Sequence, residues 1–150
     1  MIKGIFQIEK DFQKESTLEN VLKYCQKYFD RIDKFTLKLR INKIRNPEDC
    51  QEVLTKLVGY YGVLKPIFAL AETEKRNREV RYYNVEREKI EKKGKKKFSS
   101  APMERRASEH VASYRRIRNI IEAYMDICER IIGVMQSKLK YLSEELKLER

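Results

Sequence analysis

Apolar side chains recur along most of this chain at three- and four-residue steps, the period of a helix buried along one face. Leu18, Leu22, Cys25, Phe29, Ile32 and Leu39 form one such stripe with Phe35 beside it, while Lys23, Lys27, Asp30, Lys34 and Lys38 take the other side. The stripe predicts a helix from Ser16, where Ser16 and Glu19 have capping-box spacing, to about Ile44. Asn46-Pro47 then reads as a stop and a new start. Asn46 can cap, Pro47 fits the first helical position, and Glu48 with Asp49 complement the helix dipole. The next stripe, Val53, Leu54, Leu57, Val58 and Tyr61, runs into Gly59, Gly62 and Pro66, which predict a kink or a break.

Ile67, Phe68 and Leu70 resume the apolar face, and from Glu72 to Lys93 the apolar content collapses to Val80, Tyr82, Tyr83, Val85 and Ile90. Residues 92–102 combine a helix-ending glycine, a lysine run and a serine-proline restart, the clearest break in the chain. A last helix is expected from Pro102 to the end. Within it Tyr114, Ile117, Ile121, Tyr124, Cys128, Ile131 and Met135 keep alternating steps of three and four, and Leu139, Leu142 and Leu146 follow after a stutter. This regularity predicts a coiled-coil-like seam, taken as an oligomer interface, although the stripe from Leu18 to Leu39 could satisfy it internally. The expected fold is all-α: one domain of three to four helices, two of them long and antiparallel around a basic hairpin. Residues 1–15 form an N-terminal arm that packs in cis or in trans.

Composition agrees with long helices and solvated charged faces. Of 150 residues 38% are charged, and only 5 are Gly and 3 Pro, too few for a small barrel or sandwich. No run of 18 apolar residues is present, so no membrane span is expected. The first residues lack the apolar core of a signal peptide. Three cysteines without CxxC spacing suggest a reduced, cytoplasmic setting.

Net charge is +11, and its distribution matters more than its size. Residues 75–118 hold 16 basic and 6 acidic side chains, a net +10, while the flanking segments are nearly neutral. Such localisation points to a polyanion, nucleic acid before an anionic membrane surface. Lys92, Lys93, Lys95, Lys96 and Lys97 form the cluster, with Arg105 and Arg106 expected in the next helix's first turn, where they would oppose the dipole. Arg115, Arg116 and Arg118 follow, and Arg76, Arg78, Arg81 and Arg87 lie on the incoming arm. Tyr82, Tyr83 and Phe98 are interleaved among them as base-stacking candidates for a single strand.

No constellation for catalysis emerges: there is no Walker loop, GxGxxG, HExxH or nucleophile elbow. The single histidine, His110, has no neighbouring cysteine to build a zinc site and reads as a surface residue. The expectation is a non-enzyme with no metal and no cofactor. Arg105-Arg106-Ala107-Ser108 resembles a basic-directed kinase site.

Residues 66–142 resemble the UvsY-type phage recombination mediators. The likeness rests on a charged helix with Tyr82-Tyr83, a Lys/Gly/Ser-rich hairpin, and a Met103-Glu104 restart. It continues in a long last helix with Tyr124 and Cys128 and an Ile/Leu/Lys tail. The N-terminal part is longer here and the hairpin more basic. The resemblance implies a homo-oligomer that binds single-stranded DNA and helps load a recombinase, with a recombinase or single-strand-binding protein as partner. The hairpin would face DNA and the last helix would be part of the oligomer interface. RNA is an open alternative to DNA. From another class, a phage- or virus-type interaction module or inhibitor would dock the same hairpin on an acidic protein surface. A plain coiled-coil scaffold is a third reading.

Overall fold

The computed structural model describes residues 4–94 and 99–148, and among these there are helices and no strand. In chain order they are α1 (Ile5–Phe12), a single 3-10 turn (Glu15–Thr17), α2 (Leu18–Arg40), α3 (Pro47–Lys92), α4 (Ser100–His110) and α5 (Ala112–Leu148). The all-α class is therefore observed. The N-terminal arm contains α1, which packs in cis: Ile8 and Phe12 are buried in the main core.

The start of α2 departs from the capping-box expectation. Thr17, not Ser16, stands at the cap, and no side chain caps the helix. The Thr17 hydroxyl instead donates to the carbonyl of Asp11 at 2.7 Å, tying the turn to the end of α1. The helix also ends sooner than Ile44. Asn42 takes φ 51°, its amide donates to the Leu39 carbonyl, and the Lys43 amide donates to that of Lys38, which is a Schellman ending. Asn tolerates the left-handed conformation, so this residue sets the stop.

The start of α3 follows the reading: Asn46 Oδ1 accepts from the Asp49 amide at 2.7 Å, and Pro47 occupies the first turn. The expected break does not occur. The helix passes through Gly59, Gly62 and Pro66 for 46 residues, about 69 Å at 1.5 Å per residue. The carbonyl that the Pro66 ring crowds is that of Gly62, four residues back, where no side chain resists its tilting outward. Cys50, Val53, Leu57, Leu64, Ile67 and Ala71 are the buried positions of α3, so its buried stripe stops where its apolar content does. By length and composition α3 contains an 18-residue window apolar enough to cross a membrane, although charged residues interrupt its apolar run. At Gly94, φ 67° closes the helix in a conformation that glycine adopts without a Cβ penalty.

The last helix is also divided. Val111, fully buried, separates α4 from α5, and α4 starts at Ser100 rather than Pro102. The Arg115 guanidinium donates to the Ser108 carbonyl at 2.7 Å, the acceptor that an uninterrupted helix would offer the Ala112 amide.

The core lies between α2, the first half of α3, and α5. Tyr61 with Glu129 and Glu72 with Arg118 join α3 to α5, and Tyr82 with His110 joins α3 to α4. Tyr114, Ile117, Ile121, Cys128, Ile131 and Met135 of the expected seam are all buried in this one chain. Tyr124 is displaced from the seam by Met125. It stacks on Phe29 of α2 at 4.0 Å between ring centroids, and its hydroxyl donates to Asp33. Apart from Tyr124, the seam side chains are thus buried within this one chain.

Candidate nucleic-acid interface

The second half of α3 and the whole of α4 carry most of the residues expected to meet a polyanion. Met103 and Ala107 of α4, with Val111, are buried apart from the main core, and they hold α4 on α3. Lys95, Lys96, Lys97 and Phe98 lie outside the described residues.

Many of the arginines counted as charge are spent within the chain. Arg78 donates to the carbonyls of Phe12 and Gln13 at the end of α1, and its guanidinium lies 4.4 Å from the Tyr114 ring centroid. Arg118 donates to Glu72 at 2.6 Å and to Glu122, and lies over Phe68. Its hydrogen bond is the main reason the Glu72 carboxyl is held below its ordinary range, with Lys75 adding to the effect. Arg115 is half-buried and holds Ser108 by both carbonyl and hydroxyl, so the serine of the kinase-like motif is occupied. Arg87 pairs with Glu91 at 2.8 Å, and Arg105 with Glu109 at 3.1 Å. Arg105 and Arg106 stand in the second turn of α4, not the first, so the dipole argument does not apply to them.

A smaller set remains turned to solvent. Arg76, Arg81, Lys92, Lys93, Arg106 and Arg116 are exposed and make no ion pair among the described residues. Lys89 donates to Glu86 at 2.6 Å, and that bond is the chief cause lowering the Glu86 carboxyl. Arg106 and Lys93 add to the effect. The tyrosines separate. Tyr82 stacks on His110 at 4.4 Å and 20°, so one of its faces is covered. Tyr83 lines a groove of about 290 Å³ with Arg76, Glu79, Val80, Glu104 and Ala107.

A second cationic surface was missed because charge was summed along the chain rather than around each helix. Lys27, Arg31, Lys34 and Lys38 repeat at steps of four, three and four, and form one row on α2 beside Tyr60 of α3. That spacing was the available signal.

Among the described residues no three His, Cys, Asp or Glu side chains group to hold a metal ion. The three cysteines are buried, and burial pushes the Cys25 thiol up to about 12 and that of Cys128 to about 11. Neither has the lowered thiol of a nucleophile. Searches of protein-family models, curated proteins and solved structures find no match to this chain.

Proposed function

We propose that this chain is a non-catalytic nucleic-acid-binding protein that holds single-stranded DNA at the basic end of α3 and α4. In this reading two antiparallel arms joined by the 92–102 hairpin present the lysine cluster and the flanking cations to successive phosphates. The observation that carries it is the +10 concentrated in residues 75–118. Part of that charge is neutralised internally, so the working set is Arg76, Arg81, Lys92, Lys93 and Arg106 with Lys95, Lys96 and Lys97. Tyr83 and Phe98 supply the stacking surfaces.

The role fitting such a protein is to organise a strand for other recombination proteins, as the resemblance to UvsY-type mediators implies. Assembly, in this reading, uses surfaces outside the buried seam. Tyr141, Leu146 and Leu148, exposed on the last turns of α5, are its apolar contact.

Binding of a labelled single-stranded oligonucleotide, followed by anisotropy across a salt series, tests the reading. Affinity that falls steeply with salt supports it. Salt-insensitive or absent binding overturns it, and capture of an acidic protein surface by the same hairpin then takes its place.

A further inference from the structure

The face shared by α2 and α3 is built unlike a solvated helix surface. Lys27, Arg31, Lys34 and Lys38 follow one another along α2, spanning about 16 Å at 1.5 Å per residue. Like charges at i,i+4 repel and weaken a helix, so the row costs stability. Among the described residues no carboxylate lies within ion-pair distance of Arg31, Lys34 or Lys38.

Aromatic rings accompany the row instead. Lys27 lies 4.9 Å from the centroids of both Tyr24 and Tyr28, Arg31 5.7 Å from that of Tyr60, and Lys38 5.6 Å from that of Phe35. Arg31, Lys34, Phe35, Lys38, Lys56 and Tyr60 enclose a pocket of about 400 Å³ with no carboxylate in its lining. Lys56 is paired with Glu52, while Asp49 and Glu52 line the next cavity and end the cationic run. The pocket therefore offers convergent positive charge over an aromatic floor, within the 300–1,000 Å³ of ordinary ligand sites.

We propose that this pocket is a second nucleic-acid contact, taking one nucleotide unit of a single strand. Its phosphates pair with Arg31, Lys34 and Lys38, and its base lies against the ring of Tyr60. The assignment rests on the single-strand reading above. It adds a site about 48 Å along α3 from Lys92, taking 32 residues at 1.5 Å each. Base stacking on aromatic rings combined with phosphate pairing is how single strands are held without sequence preference.

The test is photo-crosslinking of a twenty-nucleotide oligothymidine carrying 5-iodouracil, with peptide mapping, beside anisotropy on two triple variants. One removes Arg31, Lys34 and Lys38 as alanines; the other removes Lys92, Lys93 and Arg106. All these side chains are exposed, and circular dichroism confirms that each variant is folded. Crosslinks in the peptide containing Tyr60 are expected, lost in Tyr60→Leu. The first variant should flatten the slope of log K against log salt by about one unit, for the one or two phosphates flanking that nucleotide at roughly 0.7 each. A thymidine monophosphate arm separates a strand from a free nucleotide: competition at micromolar monophosphate would overturn the strand assignment. Crosslinks confined to residues 75–118, with the first variant binding like the parent, would overturn the second site and leave the hairpin reading standing. Loss of binding in the first variant alone would uphold the pocket and remove the hairpin.

Discussion

The guanidinium of Arg78 lies 4.4 Å from the ring centroid of Tyr114 while donating to the carbonyls of Phe12 and Gln13. One side chain of α3 thus joins the start of α5 to the end of α1, where the helix dipole favours a cation. Replacing Arg78 with Ala should cost roughly 2–3 kcal/mol, from lost charge-assisted bonds, and lower Tm by about 5–10 °C. Arg78→Lys keeps the charge but loses the planar fork, so it should recover only part of the loss. Arg81→Ala, at an exposed position, is the control and should leave Tm unchanged. Thermal melts of the three variants decide whether Arg78 is structural.

Tyr114 gives a complementary expectation. Its hydroxyl is buried and has no hydrogen-bond partner among the described residues. Tyr114→Phe keeps the ring under Arg78 and removes an unsatisfied polar group, so stability should hold or rise by up to about 1 kcal/mol. A fall of several degrees in Tm would show that the hydroxyl is satisfied in solution.

Glu72 makes part of the stability depend on pH. Its carboxyl is lowered, first by the hydrogen bond from Arg118. A group with a depressed folded pKa contributes fully above its unfolded value near 4.3, and the contribution fades as pH falls through the lowered value. Glu72→Gln should therefore be less stable than the parent at pH 7, and the two should converge near pH 2–3. Urea midpoints at the two pH values measure this. Equal midpoints at pH 7 would mean that the pair is fully screened.

How much of this was legible from the sequence depends on which residue types carried the signal. The stripe of α2 and the steps from Tyr114 to Met135 name buried residues because periodicity reports burial directly. Asn46-Pro47 and Gly94 mark helix ends because their backbone chemistry is local. Ser16 was misread since the Thr17 hydroxyl is engaged by a carbonyl from α1, a tertiary partner that no local motif contains. Val111 interrupts the last helix where Arg115 takes the Ser108 carbonyl, another contact between helices. The partner of the seam was equally hidden, since spacing says that a face is buried and not by which chain. On the candidate surface, the count of arginines overstated available charge, because Arg78, Arg115 and Arg118 act within the fold.

The seam's internal burial can be checked by mutation. Ile121 is fully buried, and Ile121→Ala should cost about 2–5 kcal/mol through lost contacts and the cavity left behind. Light scattering should find the mass of the folded variant unchanged from that of the parent. If the variant changes the assembly state while its melting temperature holds, the seam faces another copy after all.

The buried thiols predict slow chemistry. Cys25 and Cys128, pushed up to about 12 and 11, should be unreactive toward Ellman's reagent at pH 8 in the native protein. All three cysteines should react at once in guanidinium chloride. Fast labelling of a native thiol would reveal local opening of α2 or α5.

The salt dependence of strand binding separates cations that meet phosphate from those that hold the fold. If one protomer meets about four to six phosphates through the basic end, the slope of log K against log salt should be near −3 to −4. Replacing Lys95, Lys96 and Lys97 with alanine should flatten that slope by about two units, weaken all sequences alike and leave the helices intact. Arg115→Ala should do the opposite: it frees the Ser108 carbonyl at the bend between α4 and α5, lowers Tm, and leaves the slope nearly unchanged. Phe98→Ala or Tyr83→Ala should weaken binding by roughly 1–3 kcal/mol per lost base stack at constant slope. If the lysine variant binds as tightly as the parent at every salt concentration, the hairpin does not meet the strand. Binding then belongs to the row on α2, where Arg31, Lys34 and Lys38 are exposed and make no ion pair among the described residues.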